Sequence, residues 1–224
     1  AQPYNLFVLY DLTQPSSDTE GKVAVGRNAN LANYSVGDKI LNAAFGQEDV
    51  LVVGNNLTYT SGAVYNGNVV YGNSTNLVPV YYPTSVTGGT IRQASIIDFV
   101  TAEAYLNNYS TTLAAQTVNG NTLYQWGGVF LTGTNPVLNV FSVDGAMLSV
   151  ANDFQINVPN GASVVVNISG TTVSWRGGLS ITGTSVSNVI YNFNQTTSLT
   201  IESIDVRGSI LAPKADVNFI TGVQ

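Results

Sequence analysis

Ser95 to Thr117 reads SIIDFVTAEAYLNNYSTTLAAQT. It is the only stretch where apolar residues recur at helical spacing: Ile96, Phe99, Ala102, Leu106, Tyr109 and Leu113 step by three or four and line one face. Ser95 with Asp98 makes a capping-box-like start, the hydroxyl accepting from a first-turn N–H and the carboxylate sitting at the positive helix end. Asn119-Gly120 tolerates positive φ and marks the stop. The spacing predicts one long α-helix over about residues 95–117, ~34 Å long at ~1.5 Å per residue. Its apolar stripe must be buried, and nearly everything else reads as short strands. The predicted fold is mostly β, with this helix packed along the strands and dividing the chain into two β-rich arms.

Before the helix, Tyr4 to Leu12 (YNLFVLYDL) is a nearly continuous apolar run rich in β formers, read as a buried strand. Thr13 to Gly21 reads as a polar turn segment, and Asn28 to Asp38 is polar with a further turn at Val36-Gly37. Lys22–Gly26 (KVAVG), Asp49–Gly54 (DVLVVG) and Asn68–Gly72 (NVVYG) repeat one pattern: branched apolar residues, then glycine, then a polar residue. Val129–Gly133 (VFLTG) is a further copy, and Arg207–Leu211 (RGSIL) a looser one. The copies keep no fixed period. Short rungs closed by Gly-Asn or Gly-Thr describe an irregular β-solenoid (β-helix), with Gly and Asn turning the corners through αL-type conformations. The alternative is a β-sandwich, which prefers hairpins; Asn66-Gly67 and Asn160-Gly161 are the best hairpin signals. In the second arm Leu138–Val143, Phe154–Val158, Ser163–Ile168, Val189–Phe193 and Ser198–Ile204 read as strands. No linker separates the arms, so residues 1–224 are expected to form a single domain.

The 224 residues are 44% apolar but only 9% charged, against ~25% in an average protein. Amides and hydroxyls replace the missing charges, a surface common outside cells. The net charge is −6 and the seven basic residues are scattered, which argues against nucleic acid. There is no cysteine, hence no disulfide and no thiolate, which fits an exported prokaryotic protein better than a secreted eukaryotic one. There is no histidine, which removes the commonest general base and transition-metal ligand. No apolar run is long enough to span a membrane, and Ala1-Gln2-Pro3 suits a cleaved terminus.

Few residues point to chemistry. Asp11, Asp18 and Glu20, and the adjacent Glu48-Asp49, are the carboxylate groupings; a glycosidase needs two such groups facing each other. Turn capping and solvation account for them more simply, and no spacing supports a Ca²⁺ site at Asp18 and Glu20. A Ser–Lys dyad has no motif, and Gly88-Gly89, Gly127-Gly128 and Gly177-Gly178 lack the Lys-Ser/Thr of a phosphate loop, so they read as turn glycines. No cofactor is expected. Tyr59, Tyr65, Tyr71, Tyr81 and Tyr82 are either half-buried scaffold or a stacking surface for sugars or Pro-rich peptide. Thr-x-Thr pairs at Thr58/Thr60, Thr132/Thr134 and Thr182/Thr184 keep no common rung spacing, unlike an ice-ordering ladder. Sequons begin at Asn33, Asn56, Asn73, Asn108, Asn167 and Asn194; they permit glycosylation where a host performs it.

Several segments together resemble the choice-of-anchor A family. They are Tyr4–Leu9 with Asp11, then DTEGKVAVG (Asp18–Gly26), SGAVYNGN (Ser61–Asn68), the helix start Ile97-Asp98-Phe99, LNVF (Leu138–Phe141), VIYNF (Val189–Phe193) and VRGSILAP (Val206–Pro213). The resemblance covers nearly the whole chain. It implies an exported, extracellular, cell-surface domain of adhesive character joined to varied C-terminal anchors, with a β-solenoid fold like that of ice-binding proteins and no catalytic residues. Tyr10 and Arg27 stand where the family pattern has glycine, so those turns are expected to be filled or reoriented. The pattern also continues beyond Gln224 with a further apolar strand.

The functional expectation is a non-enzymatic surface adhesin or structural module, with carbohydrate or ice binding as the alternative. Its expected partners are other copies of itself, or extracellular matrix and glycan ligands. Self-assembly into filaments would use the terminal strands: Asn5, Leu6, Phe7, Val8 and Leu9 at one end, and Val217, Phe219 and Ile220 at the other. Two readings of the C-terminal edge stand open: its final strand lies outside this chain, or another chain supplies it.

Overall fold

The computed structural model describes residues 4–40, 48–77, 84–86 and 89–223. The chain forms two compact units, Ala1–Ala102 and Glu103–Gln224. Both are mostly β, and among the described residues the strands pair in parallel except for one antiparallel hairpin in the second unit.

In the first unit, strands of three to five residues follow one another in a cycle of three. They are β1 (Leu6–Val8), β2 (Leu12–Gln14), β3 (Ser17–Thr19), then β4 (Val23–Val25), β5 (Ala29–Leu31), β6 (Tyr34–Val36), then β7 (Asp49–Val53), β8 (Leu57–Tyr59), β9 (Gly62–Val64). β10 (Asn68–Tyr71), β11 (Thr84–Val86) and β12 (Ile91–Gln93) complete it. Through β10 every third strand pairs in parallel, and β11 and β12 then add to β9 and β10, giving the sheets β1-β4-β7-β10-β12, β2-β5-β8 and β3-β6-β9-β11. The glycine-closed repeats are β4, β7 and β10. They stack in register: Val23, Leu51 and Val69 in one row, Ala24, Val52 and Val70 in the next. Both faces of this sheet are buried, which is why these strands read as unbroken apolar runs. One face lines the core with Leu31, Tyr34, Leu57 and Tyr59; the other is covered by Tyr4, Phe7, Ile97 and Phe99.

The polar stretches, read as a turn segment and as polar chain, hold strands. β3 lies in Thr13–Gly21, β2 runs into it from Leu12, and β5 and β6 lie in Asn28–Asp38. Each is three residues long; β5 and β6 bury alternate side chains, Ala29 and Leu31 or Tyr34 and Val36, while β3 buries only Thr19 and β2 none fully. The corner glycines Gly26, Gly54 and Gly72 also differ from expectation, since none has positive φ. They are small because the rungs approach closely. A Cβ on Gly54 would sit 2.3 Å from the Gly26 carbonyl oxygen, and one on Gly72 2.0 Å from that of Gly54. Positive φ belongs instead to Asn33, Gly37, Gly62 and Asn66. Asn66 and Gly161 (φ 62 and 78) turn the chain from one sheet to another rather than closing a hairpin.

The helix α1 (Phe99–Ala114) is shorter than predicted, ~24 Å at ~1.5 Å per residue. Its cap is Asp98, not Ser95: Asp98 Oδ1 accepts from the Thr101 N–H at 3.0 Å. Asn119 and Gly120 do not end it; both donate their N–H to the Val140 carbonyl, tying the following segment to a strand. Ile96 and Tyr109 are 44% and 39% exposed, while Ser110 is fully buried.

In the second unit β13 (Asn121–Gln125) and β14 (Gly128–Thr132) form an antiparallel hairpin. There follow β15 (Leu138–Val143), the short helix α2 (Gly145–Val150), β16 (Asp153–Asn157), β17 (Ser163–Ile168), β18 (Thr172–Arg176) and β19 (Gly178–Thr182). β20 (Val189–Asn192), β21 (Ser198–Asp205), β22 (Ser209–Leu211) and β23 (Asp216–Val223) close the order. The sheets are β13-β14-β16-β19, β15-β17-β20-β22 and β18-β21-β23. Helix α2 went unread in the sequence. It follows β15 where the next two cycles place β18 and β21, and it packs on β18. Asp144 caps it, and its Ser149 Oγ accepts from the Ser174 N–H at 2.9 Å. Phe154, Trp175, Tyr191 and Phe193 interlock at the centre of the core.

Candidate interaction surfaces

The residues singled out at the chain's ends occupy edge strands. β1 pairs only β4 among the described residues; Leu6 and Val8 turn toward the core, and Phe7 packs between Tyr4 and Phe99, 5.7 and 5.4 Å between ring centroids. Asn5 Oδ1 accepts from the Lys22 N–H at 3.2 Å, and Leu9 is half-buried. β23 pairs only β21 among the described residues; Phe219 packs on the core, while Val217 and Ile220 are half-exposed. The first set belongs to one unit and the second to the other.

The carboxylates are distributed among cations and capping donors rather than facing each other. Asp49 takes both Arg92 Nη atoms, at 2.7 and 2.8 Å, and the Asn68 amide at 3.2 Å. Burial pushes Asp49 up, but these hydrogen bonds and the nearby Arg92 and Lys22 charges outweigh it and hold the carboxyl below its ordinary value. Glu48 pairs with Lys22. Asp11 binds the Asn28 backbone N–H, which is the main cause of its lowered pKa, together with the Asn28 amide and Arg27. Arg27 also lies over the Tyr10 ring, 4.7 Å from its centroid, so the two departures from the family pattern fill that corner together. Among the described residues no group of three or more carboxylates gathers around a common point.

Tyr59 is wholly buried, with its hydroxyl donating to the Tyr34 carbonyl, so it is scaffold; Tyr65 and Tyr71 are half-buried, and Tyr81 and Tyr82 lie outside the described residues, as does Gly88. Of the sequon residues, Asn33, Asn73 and Asn108 are exposed. Asn56 accepts from Asn73 and Ser74, and Asn167 and Asn194 donate to helix α1, to the Leu113 carbonyl and to Ser110 Oγ.

The sheet β13-β14-β16-β19 presents a surface that the sequence reading missed. Its inward residues Val129, Leu131, Phe154 and Ile156 are core, so alternate residues must face outward. The register aligns them in three rows: Gln125, Gly128, Asp153, Gly178; Leu123, Phe130, Gln155, Ser180; and Asn121, Thr132, Asn157, Thr182. At the hairpin tip Trp126 is 89% exposed, and its ring meets Phe130 edge to face at 6.4 Å. Trp126 has φ 50 and Gly127 φ 75, the two-residue turn that favours Asn-Gly. A bulky side chain in that αL position costs about 1–2 kcal/mol. Thr132 and Thr182 share a row, but Asn157 separates them. The legible signal was Gly127 between two alternating segments, NTLYQ and GVFLT.

Over residues 1–224 the sequence matches the family described as "Putative Ice-binding-like adhesive domain". The chain belongs to this family. No curated protein and no solved structure gives a significant match. The match agrees with the resemblance noted in the sequence and spans both compact units. The family description carries the coarse function, adhesion on an ice-binding-like fold. Among the described residues no helix is long and apolar enough to cross a membrane.

Proposed function

We propose that this domain is an exported, non-catalytic adhesive module of the cell surface, acting without cofactor, and that the outward face of β13-β14-β16-β19 is its adhesive surface. The observation that carries this reading is Trp126, almost fully exposed in a strained turn beside Phe130 and rows of amides and hydroxyls. Large aromatics held in water serve recognition more readily than stability. The threefold recurrence of strands supports reading each unit as a β-solenoid, and the family match over 1–224 supports treating the two as one domain. Beads coated with the purified chain should adhere to extracellular matrix and to cell envelopes. Substituting Trp126 and Phe130 together by alanine should remove most of that adhesion. Equal adhesion of wild-type and doubly substituted beads would place the adhesive surface elsewhere.

The edge strands favour a second reading, self-association. β1 and β23 each pair on one side only among the described residues, and Val217 and Ile220 expose apolar surface. Light scattering should show concentration-dependent polymers that vanish in V217K/I220K, whose positions are open enough to accept lysine. A chain that stays monomeric at millimolar concentration would end this reading.

A further inference from the structure

Resting on that proposed adhesive face, we propose that Trp126 and Phe130 form the stacking end of a binding site for a neutral glycan chain of hexopyranose units. The outward residues Gln155, Ser180, Asp153 and Asn157 would bind its hydroxyls. The arrangement suits such a ligand in three respects.

First, a sugar ring has an apolar C–H face and a rim of hydroxyls, so its site needs an aromatic plate beside donors and acceptors. Trp126 is the exposed plate. Phe130 closes against the Gly128 backbone, since a Cβ on Gly128 would meet its ring at 2.9 Å, and it props the Trp126 ring edge to face. Beyond the two rings the same row continues with Gln155 and Ser180 across two more strands. The four-strand row spans ~14 Å at ~4.8 Å per strand, a length for several sugars rather than one.

Second, the charge is right for a neutral chain. Asp153 is the only charged residue in the three outward rows. Its Oδ2 accepts from Gln155 Nε2 at 2.6 Å, which orients that amide and leaves Oδ1 free to accept a hydroxyl. Glycines flank Asp153 on both neighbouring strands, and its Oδ1 lies over Gly178, where a Cβ would meet it at 3.2 Å. An anionic polymer, whether nucleic acid or acidic polysaccharide, would meet this carboxylate with no cation in the rows to offset it.

Third, the turn residue is locally unfavourable. Asparagine would fit φ 50 better than tryptophan, so the position favours the ring over the fold. This makes Trp126→Asn a variant that should fold at least as well while losing the plate.

The experiment is affinity electrophoresis in native gels containing laminarin, hydroxyethylcellulose or galactomannan, with polygalacturonate and a polyproline peptide as comparison probes. Trp126 fluorescence is followed in parallel, since Trp175 is buried and serves as an internal reference. The expected result is retardation by at least one neutral polysaccharide, a blue shift on binding, and at least tenfold weaker binding in Trp126→Asn with an unchanged or higher melting temperature. Retardation by none of the neutral polysaccharides, retardation equal in Trp126→Asn, or retardation by polygalacturonate or polyproline alone would overturn the proposal. If coated beads adhere through this face while no neutral polysaccharide competes, the glycan assignment falls and the adhesive face stands. If the beads adhere equally without Trp126 and Phe130, both fall.

Discussion

Ser110 Oγ donates to Asn192 Oδ1 at 2.5 Å, and Asn192 Nδ2 returns a hydrogen bond to the Ser110 carbonyl at 2.8 Å, with both residues shut off from solvent. The same Asn192 amide reaches Asn167 Oδ1 at 2.8 Å, and Asn167 donates to the Leu113 carbonyl at 2.9 Å. Helix α1 is thus fastened to β17 and β20 by an amide seam as well as by the apolar cluster of Leu106, Leu113, Val140, Val165 and Leu211. A fully satisfied buried network fixes geometry, and a broken one leaves several polar groups desolvated without partners.

Asn192→Ala should therefore cost about 2–4 kcal/mol, because the Ser110 hydroxyl, the Ser110 carbonyl and Asn167 Oδ1 each lose a partner. Leu113→Ala should cost about 2–4 kcal/mol, and Leu106→Ala less, since Leu106 is only partly buried. Urea titrations followed by circular dichroism measure all three. An Asn192→Ala loss below ~0.5 kcal/mol would mean the seam carries no stability.

Gly54→Ala should destabilise by about 1–3 kcal/mol, although its backbone needs no positive φ. The added methyl meets the Gly26 carbonyl, and the rung must shift. Asn55→Ala at the adjacent, partly exposed position should cost less; the reverse order in thermal melts would contradict the close-approach account.

Acid should weaken the fold through Asp49 and Asp98. The Thr101 backbone N–H is the main cause of the lowered Asp98 pKa, and the Arg92 hydrogen bonds outweigh burial at Asp49. Groups with a depressed folded pKa stabilise above their unfolded value, ~3.9, and lose that contribution as pH falls through the folded one. The urea midpoint should hold from neutral pH to about pH 5 and fall below about pH 4. Asp49→Asn should lower the plateau and flatten the acid limb; an unchanged limb would remove Asp49 from the account. In base the sign reverses. Tyr34, Tyr59 and Tyr191 are pushed up by burial, so their contribution is complete below ~10 and disappears as pH rises beyond it.

Thermal hysteresis at sub-millimolar concentration should be negligible despite the family's ice-binding-like fold. The outward row that aligns Thr132 with Thr182 interposes Asn157, and the neighbouring row carries Phe130 beneath Trp126. Such a face lacks a repeating hydroxyl ladder. Faceted crystals with a clear hysteresis gap would sink this expectation.

By itself the sequence determined the mostly β composition, the position of the long helix, and the strands whose two faces are both buried. β4, β7 and β10 are legible because each is an unbroken apolar run ended by glycine, and β15 and β17 begin and end where the pattern said. The three-residue strands β2, β3, β5 and β6 were not legible. One or two inward side chains among polar neighbours carry too little periodicity to stand out, and what makes them strands is pairing with residues 17 or 28 positions away. The helix face was misread at Tyr109 and Ser110 for a similar reason. Hydrophobicity alone favours burying tyrosine, but the sheet offers Asn192 to satisfy a serine. Only the tertiary structure could bring Phe130, Gln155 and Ser180 into one row, because register depends on which strands neighbour one another. Only it could leave Trp126 in water, because exposure is a property of the packed chain and not of the residue.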